Sequence, residues 1–288
     1  MLDILYTPFA DFEFMQRALV GVIAIAIGGG PIGVFLMLRR MSLTGDAMAH
    51  AILPGAAIGY LVAGLSLPAM TVGGLAAGII VAVLSGLVAR FTELKEDASL
   101  AAFYLLSLAL GVTIVSLRGS NVDLLHVLFG TVLALDDAAL LLLASIATVS
   151  LVALALLYRP LVVESVDPTF LRSVSRAGAP THLIFLALVV LNLVGGFHAL
   201  GTLLAVGMMM LPAASARFWS ADVSLMTLAA TGFGIASGAV GLLVSYHAEL
   251  PAGPSIILVA GGVYLASLLV GREGGLLWLA RPGRHLEA

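Results

Sequence analysis

The chain has 288 residues, of which 61% are hydrophobic and only 10% charged, with a formal net charge of −3. A soluble domain carries about a quarter charged residues, so this composition, with a mean hydropathy of +1.15, specifies a polytopic membrane protein. The absence of cysteine excludes disulfides, iron–sulfur clusters and thiolate metal sites, and the negative charge argues against a nucleic-acid partner.

A helical span needs about 20 apolar residues. On that measure about nine transmembrane helices are expected, at roughly 14–38, 46–63, 68–90, 98–117, 137–158, 181–197, 199–216, 223–246 and 254–271. The first is too long for the apolar core of a secretory signal. DLLHVLFGTVL, residues 123–133, is too short to cross and reads as a re-entrant or interfacial helix. The loop 159–180 has room for a short helix only. No linker interrupts the chain, and residues 1–288 read as a single transmembrane domain. Glycines at small-xxx-small spacing (Gly29/Gly33, Gly55/Gly59, Gly74/Gly78, Gly234/Gly238) predict close helix packing. If 39–45 is cytoplasmic, all 13 basic residues except Arg17 and Arg118 fall on that side. The positive-inside rule then puts the amino terminus outside and the carboxyl terminus inside, as an odd number of spans requires.

Catalytic signatures are missing. The only lysine is Lys95, so no Gly-x-x-x-x-Gly-Lys-Ser/Thr loop exists, and neither Gly-x-Ser-x-Gly nor His-Glu-x-x-His occurs. The chain is not expected to be an enzyme. If it works with ATP, the ATPase is another polypeptide.

One stretch breaks the apolar pattern: MSLTGDAMAHAILPG, residues 41–55. Asp46 is the only acid expected at or inside a span, where a charge costs roughly 3 kcal/mol on insertion scales. Helical spacing of four puts Asp46 and His50 on one face, with Cβ atoms about 5–6 Å apart. A carboxylate oxygen and an imidazole nitrogen so placed can meet one divalent cation. Alternatively Thr44 or Asp46 caps the second span, and His50 is a satisfied interfacial histidine. The residues alone leave both readings open. Pro54 removes a backbone donor, and Gly28, Gly29, Gly30 and Pro31 promise a similar interruption in the first span. Interrupted helices are tolerated where they line a cavity, so the two together point to a pathway, with simple kinks as the alternative.

Asn192, within the sixth span, either joins such a route or hydrogen-bonds between helices. His126, His198 and His247 map to the outer face with Asp123, Asp136, Asp137 and Glu249 nearby. They either accept the ion there or are ordinary solvated residues. His182 and His285 receive no role. Met208, Met209 and Met210 point in different directions on a helix and read as core packing.

Residues 34–64, VFLMLRRMSLTGDAMAHAILPGAAIGYLVAG, closely resemble the signature of metal-ion ABC importer permeases, the membrane subunits of bacterial zinc, manganese and iron uptake systems. GTLLAVGMMMLPAASARFW (201–219) resembles their second block. SYHAELPAGPSIILVAGGVYL (245–265) resembles their last span, and VDPTFLRSVSRAGAP (166–180) their cytoplasmic Asp-Pro segment. The segments occur in the same order over nearly the whole chain. The resemblance implies a dimeric permease of the inner (plasma) membrane with no permanently bound cofactor. It also implies a separate ABC ATPase on the cytoplasmic side and an extracytoplasmic metal-binding protein that delivers the ion. It places Asp46 and His50 on the ion route. Pro212, Ala213, Ala214 and Ala216 fall on the family's coupling segment, with Arg217 in the turn that meets the ATPase. Outer-face acceptance would fall to His198, His247 and Glu249. Two-fold pairing would bring two Asp46 and two His50 together. Zinc, which prefers four ligands, is the expected cargo, with manganese or iron(II) as the alternative. Rival readings are a permease for a larger metal chelate and a self-sufficient secondary transporter that needs no ATPase.

Overall fold

The computed structural model describes residues 2–64, 66–93, 96–117, 132–167, 170–171, 175 and 178–279. Regular structure among them is helical throughout: α1 (Leu2–Asp11), α2 (Glu13–Leu38), α3 (Ser42–Ala51), α4 (Leu53–Ala63), α5 (Leu67–Phe91), α6 (Glu96–Leu117), α7 (Asp137–Val166), α8 (Gly178–Leu200), α9 (Thr202–Arg217), α10 (Val223–Ala248), α11 (Ala252–Val270) and α12 (Leu276–Leu279). A single 3-10 turn covers Val132–Ala134. Helices are what lipid demands, because each satisfies its own backbone hydrogen bonds where no water can.

Every stretch expected to span falls on one of these helices, the second on the α3–α4 pair. Among the described residues, seven segments (α2, α3 with α4, α5, α7, α8, α10, α11) are long and apolar enough to cross a membrane. The apolar parts of α6 and α9 are shorter. The expected re-entrant helix lies outside the described residues except for its last two positions. Lys95, Arg118, Asp123, His126, Arg172, Arg176, Arg281, Arg284 and His285 also lie outside them.

Two expectations are corrected. The run Gly28–Pro31 does not interrupt the first span: α2 is continuous from Glu13 to Leu38. Its glycines serve close approach instead. A Cβ at Gly28 would crowd Asn192 Oδ1 on α8 and Ala147 on α7, one at Gly30 would press on Thr231 of α10, and one at Gly33 would overlap the Met209 carbonyl of α9. Helices α7, α8, α9 and α10 therefore all lie against α2, which makes it the buried axis of the bundle. Secondly, α7 does not end near Tyr158 but runs 30 residues, through Pro160 to Val166. At about 1.5 Å per residue it is roughly 45 Å long, well beyond a hydrocarbon core of about 30 Å. Glu164, expected in a loop, is buried on its last turns.

The other predicted small-residue pairs also sit at crossings. A Cβ at Gly55 would overlap the Gly73 carbonyl where α4 meets α5, while Gly234 and Gly238 face Ala26 and Val22 on α2. Between α3 and α4, Ile52 keeps right-handed helical angles (φ −72°, ψ −29°) and Pro54 lies in the first turn of α4. The second span is thus bent at Pro54 rather than unwound.

The end of α2 sets the direction of α3. Arg39 is its C-cap and Arg40 adopts left-handed backbone, φ 59°. The Met41 amide donates to the Leu36 carbonyl at 2.8 Å and the Arg40 amide to the Met37 carbonyl at 3.0 Å. That is a Schellman motif, with arginine where glycine is usual. The chain reverses within these residues and α3 begins at Ser42.

Gly33→Ala should force α2 away from α9 and cost about 1–3 kcal/mol in detergent unfolding, as overpacking does. Gly261→Ala, where a Cβ meets nothing within 4 Å, should cost nothing. Equal effects would contradict the packing described for α2. Arg40→Gly should stabilise the fold by about 1 kcal/mol by relieving the left-handed strain; a loss of stability would show that the arginine side chain outweighs that strain.

Candidate ion-route site on α3

The elbow after α2 places Asp46 in the interior of α3, not at its start. The capping position is Met41, with no side-chain cap bond. Neither Thr44 nor Asp46 caps the helix, which removes the capping alternative. Thr44 is buried, whereas the Asp46 side chain is 67% exposed and that of His50 28%.

Asp46 Oδ1 and His50 Nε2 stand 3.9 Å apart. This is too far for a hydrogen bond, and it exceeds the roughly 3.4 Å between two tetrahedral ligands at about 2.1 Å each, so a small side-chain movement would bring both onto one ion. The imidazole is held from outside its own helix: it stacks on Tyr104 of α6, with ring centroids 6.2 Å apart and planes 29° apart. His50 Nδ1 is buried and has no hydrogen-bond partner among the described residues. The ring is thus fixed by packing, while Nε2 faces the carboxylate. Helix α6 is itself tied to this place: Ser107 donates to the Ala51 carbonyl at 2.8 Å, and Gly111 lets α6 close on Leu53 and Pro54. Behind α3, the Gly45 backbone lies beside Met209 and Met210 of α9. Met208 and Met209 are buried, as the packing reading expected. Among the described residues no group of three or more His, Asp or Glu side chains gathers as a metal site.

The structure separates the remaining candidates. Asn192 donates to Ser150 Oγ at 2.6 Å and to the Leu188 carbonyl at 3.0 Å, and its Oδ1 lies close to Gly28; its amide packs α8 against α7 and α2. Pro212, Ala213 and Ala216 are buried and Ala214 is partly so, leaving Arg217 exposed. The turn beyond α9 is pinned: the Glu273 amide donates to the Phe218 carbonyl at 2.8 Å and Trp219 Nε1 to Ser267 Oγ at 2.9 Å. His247 and Glu249 are exposed at the end of α10, with His247 Nδ1 2.9 Å from the Leu243 carbonyl of its own helix. His198 belongs to the last turn of α8, and its side chain is not among those described. Asp136 caps α7 by accepting from the Ala139 amide at 2.8 Å. Asp137 is 3.2 Å from Arg17. Asp136 therefore has structural work as a helix cap, and Asp137 lies in an exposed ion pair.

One cluster has no counterpart in the sequence reading. Arg39 Nη2 is 2.9 Å from Glu164 Oε1 and 2.6 Å from His182 Nδ1, joining the ends of α2, α7 and α8. The apolar run Leu161–Val163 after Pro160, which continues the helix toward Glu164, was the available signal.

The chain matches the model of the ABC 3 transport family over residues 11–271. It is 31% identical to the manganese import system permease protein ScaB of Streptococcus parasanguinis, across 92% of this chain and 94% of that protein. It is 33% identical to the manganese transport system membrane protein MntC of Listeria monocytogenes, across 93% and 94%. Among solved structures, PsaBC from Streptococcus pneumoniae in complex with Fab superposes with a TM-score of 0.85 at 28% identity, covering 97% of this chain and 99% of that one. An all-helical bundle of apolar spans, matched by a family model over most of its length, identifies a multi-pass protein of the plasma membrane that belongs to the ABC 3 transport family.

Proposed function

We propose that this chain is the permease of an ATP-driven importer of divalent metal ions, that its cargo is manganese, and that the ion passes Asp46 and His50. The observation that carries the reading is the pair itself. A carboxylate and an imidazole converge to 3.9 Å on one face of α3, and the imidazole is braced by Tyr104. A carboxylate left open on an otherwise apolar bundle is too costly to face lipid. A second copy across a two-fold axis would cover it and double the ligand set to two Asp46 and two His50.

The cargo departs from the zinc expected on ligand count. ScaB and MntC carry manganese in their names, and the chemistry accommodates the change. Four protein ligands of oxygen and nitrogen leave room for water on a six-coordinate ion, and carboxylate with water suits manganese. The thiolates that favour zinc are absent from the chain. A transport site must also release its ion, which an incomplete protein ligand set favours.

In this reading a separate ATPase docks at Arg217 and the exposed part of the turn after α9, and an extracytoplasmic binding protein delivers the ion. His198, His247 and Glu249 receive it on the outer face. ATP-driven movement of α9, which packs directly on α2 and α3, re-aims the pair between the two sides.

Uptake of manganese, zinc and iron, measured in parallel with the cognate ATPase and binding protein, tests the assignment. Asp46→Asn and His50→Ala should each lower ATP-dependent manganese uptake at least about tenfold, as loss of a metal ligand or its support does. Manganese uptake at the wild-type rate in both variants would put the route elsewhere, and a selective loss of zinc uptake would restore zinc as the cargo. Tyr104→Leu should raise KM for manganese about two- to tenfold with the maximal rate kept, the scale of one lost aromatic contact; an unchanged KM would remove the bracing role.

A further inference from the structure

We propose that Arg39, Glu164 and His182 form a buried ionic node that positions the metal-facing pair, by locking the α2–α3 elbow to the ends of α7 and α8. The proposal deepens the reading of Asp46 and His50 as the ion route and rests on it.

The node is a three-helix tripod. Two acceptors from different helices, Glu164 Oε1 at 2.9 Å and His182 Nδ1 at 2.6 Å, converge on one guanidinium nitrogen of Arg39. Glu164 Oε1 and His182 Nδ1 are themselves 4.0 Å apart. The Arg39 guanidinium also lies over the Phe185 ring, 5.0 Å from its centroid. Guanidinium has donors only, so His182 Nδ1 accepts and the imidazole proton sits on Nε2. Arg39 and Glu164 side chains are only 8% and 7% exposed.

Such a pair is a poor way to hold helices together. Desolvating each ion costs several kcal/mol, and well-packed apolar residues of similar volume often do as well or better. What a buried ion pair adds is geometry: it is satisfied in one arrangement of the helix ends and strongly disfavours others. Arg39 is the C-cap of α2, and the left-handed Arg40 and the start of α3 come immediately after it. Asp46 and His50 lie on that same rigid helix. At the other end, Glu164 lies three residues before Asp167, where α7 gives way to the Asp-Pro segment. There Val166 and Phe170 are exposed apolar side chains, next to the cytoplasmic face on the charge-based orientation. A pull on that segment moves Glu164, and through Arg39 it moves the elbow that aims the pair. Glu164 Oε2, buried with no hydrogen-bond partner among the described residues, leaves the carboxylate an unused acceptor for a second arrangement. The three residues are therefore positioning residues rather than metal ligands.

The test uses the full transporter reconstituted with its ATPase and binding protein, reading manganese transported per ATP hydrolysed. Arg39→Met and Glu164→Gln alone strand a buried partner and should assemble poorly. The double variant removes both charges and should assemble at wild-type yield. If the node positions the pair, the double variant hydrolyses ATP at the wild-type rate but transports at least about fivefold less manganese per ATP, the low end of typical coupling between sites. Wild-type transport per ATP would show that the node only holds helices together, and would overturn the proposal. Should the double variant fail to assemble, Glu164→Asp, which keeps the charge and shortens the reach, gives the same readout. Reduced transport per ATP at normal yield supports the node and an unchanged ratio overturns it. Asp46→Asn in the same assay separates the two claims. Normal transport there sinks the ion-route reading, while its loss beside unaffected node variants sinks the node alone.

Discussion

The carbonyl of Met209 occupies the place a side chain on Gly33 would need. That contact, repeated in kind at Gly28 and Gly30, lets α7, α8, α9 and α10 close on α2. A helix surrounded in this way cannot rotate or slide without displacing its neighbours, because packed interiors leave few voids to absorb the shift. In a membrane the effect is stronger, since close backbone approach supplies much of what hydrophobic burial supplies in water. The fixed axis then fixes its own end. A Schellman elbow built on Arg39 and Arg40 hands the chain to α3 with little freedom, so the direction of Asp46 and His50 is set by the packing of α2.

The ionisable groups near that elbow divide into two kinds. Arg39 and Glu164 are sealed among helices and paired at 2.9 Å. Asp46 is left open, and His50 is half-buried against Tyr104 with one nitrogen directed at the carboxylate. A sealed pair fixes a shape, whereas an open pair is available to a passing ion. Arg39, on one side of the α2–α3 turn, and Asp46 with His50, on the other, belong to one short stretch of chain, so a change of shape at the sealed pair reaches the open one through α3. The turn after α9 is anchored differently, with Trp219 and Phe218 bonded to the end of α11 and the turn beyond it. Movement there would be carried by α9 as a body against α2 and α3.

Much of this was legible in the sequence, for reasons that are physical rather than statistical. Lipid forces long apolar helices, so hydropathy marks the spans. The glycine pairs announce their crossings because small residues are what lets backbones meet. Asp46 and His50 stand out because a charge beside a span is expensive. Three things were hidden. The run Gly28–Pro31 looked like a break, yet Pro31 is tolerated in a helix whose neighbours crowd it on several sides. The start of α3 was ambiguous because MSLT offers several helix starts and none of their side chains makes the cap bond. The ionic node joins residues 125 and 143 positions apart, and no local pattern reports such a meeting. It was hidden further by Pro160, which α7 traverses rather than ending there.

Everything in the proposed route turns on whether His50, with Asp46, touches the transported ion. Electron spin-echo spectroscopy of manganese(II) held by the assembled permease and ATPase reads this directly, because an imidazole nitrogen bound to the metal modulates the echo. Nitrogen modulation is expected in the wild-type complex, and its disappearance in His50→Ala. Modulation that survives the substitution, or that is absent from the wild type, would contradict contact between His50 and the ion.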